Sequence, residues 1–252
     1  MNKKKILSLC LVLCLAATAI IGGTLAYFTD TDSAKNVMTT GNIDIVQNEK
    51  DRAGKDFEDN QMLYPYTGTV GENGQATEYG KDKINNKYPL FDTDKNAIDK
   101  IVTVTNNSTI PVYARTIFAF EMVNGNLPCT DYIVTNSVAD IYGNGIKYLR
   151  NAEGNVVTFT LGEGENAVQY VVCEYYHGEL AANETSVPSL TQIYLNANVD
   201  NEFHTYVGAT YDILALSQAT QVEGFTDCKV ALDTAFGKVA EADLVEWFKN
   251  VQ

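Results

Sequence analysis

Val112-Tyr-Ala-Arg-Thr-Ile-Phe-Ala-Phe-Glu-Met122 is the stretch on which the fold turns. Side chains alternate between two faces along a strand, so Val112, Ala114, Thr116, Phe118 and Phe120 share one face, and Tyr113, Arg115, Ile117, Ala119 and Glu121 share the other. The first set is expected to face a core. Arg115 is then the lone charge of the second, and such an arginine pairs inside its own protein or extends to the surface; we read it as structural.

Working outward, the same period-two signal recurs in short runs bounded by turn residues. Upstream lie Ile101 to Thr105 and the turn Asn106-Asn107-Ser108. Downstream, 146–149 and 156–161 flank Asn151-Ala152-Glu153-Gly154-Asn155, a hairpin that asks Gly154 for the left-handed conformation. The runs 167–176, 189–199 and 210–221 are further strands, with 178–184 and 200–205 as turns. At the other end, 37–46 reads as a strand with Gly41 as a bulge. Between it and Ile101, residues 47–87 carry Asp, Asn, Gly and Lys without a period, a long surface excursion whose tyrosines offer anchors to the body of the fold.

After position 225 the period changes to that of a helix. Cys228, Ala231, Leu232, Ala235 and Phe236 fall on one face, with Thr226 as the expected N-cap and Gly237 as the stop; a second short helix covers 241–250. The fold class is therefore all-β, a two-sheet sandwich with one or two short C-terminal helices in the region 226–250.

The N-terminus carries an export signal. Lys3, Lys4 and Lys5 precede an apolar run from Ile6 to Ile21, then Gly22-Gly23 and small residues. The run is shorter than the roughly 20 residues that span a bilayer, so residues 1–26 are expected to be removed rather than kept as a stable membrane anchor. Cleavage is placed after Ala26 or after Tyr27, leaving 27–252 as one β-sandwich domain. Leu13 before Cys14 does not suit lipidation.

Removal of the three lysines takes the net charge from −14 to −17. Nucleic acid and anionic membrane are repelled by such a chain, which suits a soluble secreted protein. Of five cysteines, Cys129, Cys173 and Cys228 would remain, an odd number that permits at most one internal bridge; Cys228 is read as a buried, inert thiol.

The run Gly-Gly-Thr-Leu-Ala-Tyr-Phe-Thr-Asp-Thr-Asp-Ser-Ala-Lys-Asn (22–36), followed by Thr-Gly-Asn-Ile-Asp-Ile (40–45), resembles the start of the TasA/camelysin family of exported Gram-positive proteins. Segments 104–115, 188–190 and 211–221 resemble clostridial-type members. The resemblance implies a jelly roll, a signal peptidase of the SipW type, and assembly into cell-surface or biofilm-matrix fibres by a donated N-terminal segment, here Tyr27, Phe28, Thr29, Asp30, Thr31 and Asp32. Camelysin-type relatives are classed as metallopeptidases, which makes a secreted metallopeptidase one alternative; a monomeric surface adhesin or binding module is the other.

The residues themselves offer little chemistry. A zinc peptidase of the common kind sets two histidines one helical turn apart around a glutamate. This chain has only His177 and His204, 26 residues apart in the sense of intervening positions, beside Glu179 and Glu202 in expected turns. Asp92-Thr-Asp94-Lys-Asn96 begins like a calcium loop, but Ala97 and Thr103 stand where glycine and glutamate are needed. Asp30-Thr31-Asp32 is a shorter acidic pair. No serine elbow, cysteine with an adjacent base, or phosphate-binding glycine loop is present. The expectation is a non-catalytic secreted protein with no cofactor and no metal, partnered by copies of itself.

Overall fold

The computed structural model describes residues 29–33, 36–40, 43–59, 61–122, 133–136, 148–199, 212–249 and 251, with 29–33, 36–40 and 133–136 as backbone. Twelve strands appear among them: β1 (Thr29–Ser33), β2 (Asn36–Thr40), β3 (Ile45–Lys50), β4 (Lys83–Ile84), β5 (Tyr88–Pro89), β6 (Ile98–Asn106), β7 (Val112–Glu121), β8 (Ile133–Asn136), β9 (Thr158–Leu161), β10 (Val168–Leu180), β11 (Leu190–Leu195) and β12 (Ile213–Gln221). Two helices follow, α1 (Cys228–Phe236) and α2 (Glu241–Phe248).

The strands build a six-stranded sheet in the order β2-β1-β12-β7-β10-β9 and a four-stranded sheet in the order β3-β6-β11-β8, with β4-β5 as a small hairpin. Pairing within both larger sheets is antiparallel throughout. The space between them is filled by Phe118, Phe120, Val171 and Ala215 from one sheet against Val102, Leu190, Ile193 and Leu195 from the other. The reading as a two-sheet, mostly β fold with two short C-terminal helices holds.

Strand β7 lies at the centre, as its alternation requires, but only half of its burial follows from that alternation. Its first face meets the opposing sheet. Its second face is just as buried: Arg115, Ile117 and Ala119 are all 0 % exposed. The cover there is helical, because Ile117, Ala119, Tyr170 and Val172 pack with Leu244 and Phe248 of α2. Phe248 stacks on Phe159, and Phe159 on Tyr170, both at 5.4 Å between centroids. The sheet is thus the middle of three layers.

Other expectations are corrected. The strand placed at 37–46 is two strands in different sheets, β2 and β3, and Gly41 lies outside the described residues. The turn placed at 178–184 starts later, since β10 runs on to Leu180 across a register shift between Tyr176 and Gly178. Gly178 at φ 77° reads as a turn in sequence but serves the bulge. The cap of α1 is Asp227 rather than Thr226: its Oδ1 accepts from Val230 N at 2.8 Å, the geometry of an N-cap side chain. Gly237 closes the helix and Gly154 takes φ 85° in its hairpin, both as read.

The excursion after β3 is strapped to the four-stranded sheet. The Arg52 guanidinium grips Asp99 through both carboxylate oxygens, at 2.6 and 2.9 Å, and reaches Asp82 at 2.7 Å and the Phe91 carbonyl at 2.8 Å. Its pKa is driven upward, first by the bond to Asp99. Tyr66, Phe91 and Tyr194 form a buried aromatic group with Tyr79 stacked on Phe91. The tyrosines do act as anchors, and residues 47–50 belong to β3 rather than to the excursion.

Candidate functional site

The N-terminal strand meets the body of the fold along β12. Thr29, Asp30, Thr31, Asp32 and Ser33 pair with Thr220, Ala219, Gln218, Ser217 and Leu216 in that order. Residues 215–220 are each at most 2 % exposed. On one face β12 presents Ala215, Ser217 and Ala219 to the opposing sheet; on the other it presents Leu216, Gln218 and Thr220. Beyond β1 lies β2, and β3 of the other sheet also packs on β1. Thr29 to Asp32, expected as an assembly segment, thus lie at a sheet end; Ala26, Tyr27 and Phe28 lie outside the described residues.

Beneath this seat, a neutral polar row crosses the interior. His177 Nε2 and Thr116 Oγ1 are 2.8 Å apart, Thr116 Oγ1 and Ser217 Oγ 2.9 Å, and Ser217 Oγ donates to Gln47 Oε1 at 2.7 Å. Gln47 Nε2 donates to Glu49 Oε1 at 3.0 Å, and Glu49 pairs with Lys100. Proton directions follow from the acceptor-only end. Ser217 spends its one hydrogen on Gln47, so Thr116 donates to Ser217 and accepts from His177. His177 is therefore the neutral tautomer protonated at Nε2, and its Nδ1 is buried with no partner. A second proton would arrive at a site without an acceptor, and burial lowers the His177 pKa from 6.5 to about 4. This corrects the placement of His177 in a solvated turn; Glu179, one residue past Gly178, is exposed.

The helix-side face is charged instead. Arg115 donates from Nε to Gln218 Oε1 at 2.8 Å, from Nη1 to Glu174 at 2.9 Å and Asp233 at 3.2 Å, and from Nη2 to the Gly237 carbonyl at 3.2 Å. Lys229 bridges Asp233 at 3.2 Å and the Tyr176 hydroxyl at 2.9 Å, and Tyr176 donates to Glu174 at 2.6 Å. Burial and the neighbouring Glu174 push the Tyr176 hydroxyl up to about 12. The cluster has two cations and two carboxylates, so it closes electrically. It fixes α1 on the sheet, which is the structural role read for Arg115.

Of the histidines and glutamates weighed as zinc ligands in the sequence, only His177 and Glu179 lie among the described residues. His204, Glu202 and Cys129 lie outside the described residues. Asp92 to Asn96 form a short 3₁₀ turn (Thr93–Lys95) with Asn96 left-handed at φ 69° and its amide bound to the Pro65 carbonyl. Among the described residues no group of three or more His, Cys, Asp or Glu side chains could hold a metal ion, and no helix is long and apolar enough to cross a membrane. Neither Cys173 nor Cys228 is in a disulfide. Cys228 points its sulfur at the Ala114 and Gly178 carbonyls, and burial raises it to about 11, an inert thiol as expected.

Sequence reasoning missed Gln218, Thr220 and Ser217 as the seat of the N-terminal strand. The signal available was the polar run Ser217-Gln-Ala-Thr-Gln221 in a strand that is otherwise apolar. Polar residues on both faces of a strand next to the sheet centre ask for polar cover on both.

Fold and site together define an antiparallel, mostly β sandwich with a short polar N-terminal strand seated beside the last strand of one sheet. A likeness to a known family lies in the part of the chain that contains that strand. Residues 2–53, which include β1 to β3, match the family model described as camelysin metallo-endopeptidase. No curated protein and no solved structure matches the chain.

Proposed function

We propose that this chain is a secreted, non-catalytic structural subunit of a bacterial cell-surface or biofilm-matrix fibre. It assembles by donating the N-terminal segment from Tyr27 to Asp32 to another copy, after a signal peptidase of the SipW type has freed it. The two-sheet body is read as a jelly roll in keeping with the family. The observation that supports this most is the seating of β1: a five-residue polar strand, Thr-Asp-Thr-Asp-Ser, held by main-chain pairing to β12 at one end of a sheet. Main-chain pairing at a sheet edge is indifferent to which copy supplies the strand, so the same seat suits a neighbour's N-terminus. Such head-to-tail contacts propagate rather than close. Electron microscopy of mature protein starting at Tyr27 or Phe28 is the test. That form should give filaments, whereas protein lacking 27–36, or extended ahead of Tyr27, should stay monomeric. Equal polymerisation by all three would overturn the reading.

The name of the matching family model favours a second reading, a secreted metallo-endopeptidase. Its test is stoichiometric zinc together with chelator-sensitive casein hydrolysis that is lost in His177→Ala or His204→Ala.

A further inference from the structure

The helix-side face of β12 ends in two buried polar side chains with one bare atom each. Gln218 Nε2 and Thr220 Oγ1 have no hydrogen-bond partner, and the two residues are 0 % and 1 % exposed. Native folds leave few such groups, and each costs about 1–3 kcal/mol. In the chain's own register Gln218 stands opposite Thr31, and Thr220 opposite Thr29. The two acids of β1 take the alternate positions, Asp30 opposite Ala219 and Asp32 opposite Ser217. Those positions belong to the face that meets the other sheet, where Ala219 lies in an apolar cluster with Ile43, Ile45, Val104 and Ala114. Asp30 thus registers on the apolar Ala219 and Asp32 on Ser217 of the neutral row, while unmet polar groups line the other face.

A slip of one residue exchanges the faces of a strand. Moved so that Asp32 stands opposite Gln218, β1 also brings Asp30 opposite Thr220, and Thr31 and Ser33 opposite Ala219 and Ser217. The Gln218 amide and the Thr220 hydroxyl then each meet a carboxylate acceptor, and the apolar side receives hydroxyl residues in place of charges. Within one chain this slip is resisted. Ser33 pairs with Asn36 to close the β1–β2 hairpin, and Thr40 is only three positions before Ile43, which is fully buried. A strand from a second copy has no such tie to the acceptor's core.

We propose that the β12 edge selects the N-terminal strand of a second copy in a register one residue out from that of its own β1, with Asp32 opposite Gln218 and Asp30 opposite Thr220. The proposal rests on the fibre reading above and names the residues by which acceptor and donor recognise each other. Mature chains carrying Asp32→Cys, or in parallel Thr31→Cys, are co-assembled with chains carrying Gln218→Cys and oxidised. Disulfide-linked peptides are then identified by mass spectrometry, so the native cysteines need no removal. Filaments should link position 32 to position 218 between chains, with the 31-to-218 link at least about tenfold weaker, because the latter side chains would lie on opposite faces. A dominant 31-to-218 link between chains overturns the register and leaves strand donation standing. Filaments with neither link overturn strand donation along with the register, and no filaments even from the unsubstituted mature chain overturn the fibre reading itself. As a second measurement, Asp30→Ala with Asp32→Ala should slow filament elongation about tenfold, the equivalent of one charged hydrogen bond, without lowering the stability of the unassembled chain. Unchanged elongation would also overturn the proposal.

Discussion

The two faces of the six-stranded sheet bury polar groups by opposite means. Towards the helices, Arg115 is fully enclosed yet surrounded by Glu174, Asp233, Gln218 and the Gly237 carbonyl. Towards the opposing sheet, Thr116, Ser217 and Gln47 pass hydrogen bonds along a neutral row that leaves Nδ1 of His177 bare. A charge can be buried where countercharges from two elements meet it; where only hydroxyls and an amide are available, the titratable member must stay neutral. The first arrangement is sensitive to deletion and the second to pH.

Arg115→Leu should do the greater damage. It strips the cation from Glu174 and Asp233, whose side chains are 6 % and 14 % exposed, and breaking a buried pair from one side costs about 3–5 kcal/mol. Urea denaturation at pH 7 measures it. A loss under about 1 kcal/mol would mean that the cluster is solvated rather than sealed.

The neutral face should respond to acid. Unfolded, His177 titrates at its ordinary value near 6.5; folded, burial holds it at about 4. Between these values the unfolded chain binds a proton that the folded chain refuses. Its contribution is therefore complete above pH 6.5 and is lost as pH falls towards 4, by about 3 kcal/mol in full. From pH 7 to pH 5 the protein should lose about 2 kcal/mol more than a His177→Gln variant does. Equal losses by the two proteins would show that the ring is wetted.

The smallest effect sharpens the helix side. Asp227→Ala removes the cap of α1 and should cost about 1 kcal/mol, read in the same denaturation series. A much larger loss would place part of the strength of the Arg115 cluster in the helix end rather than in the charges.

What was legible in the sequence follows from range. The alternation of 112–122 and the helical spacing from Cys228 to Phe236 are local patterns, and both elements form where they were read. The burial of the second face of β7 was not legible, because Tyr113, Arg115 and Glu121 look like a solvent face, and the helices that cover Arg115, Ile117 and Ala119 lie more than a hundred residues later. His177 was misplaced because Gly178 signals a turn and a bulge alike. Asp99 as the counterpart of Arg52 lies 47 positions away, and nothing in either neighbourhood announces the pair. Of the candidate site, the segment Thr29 to Asp32 could be singled out from the sequence; its seat on β12 required the pairing itself.

That pairing joins the first described residue to the last described strand: Thr29 meets Thr220, and β7 meets β12 across about a hundred residues. Contacts so distant along the chain form late, since the loop between them must close before they contribute. The six-stranded sheet cannot be completed until the C-terminal quarter is available, so the side of β7 that takes β12 stays open until then. The order of strands in the sheet thus acts as a timer, because the strand at its heart finds its neighbour β12 only when the chain is nearly finished.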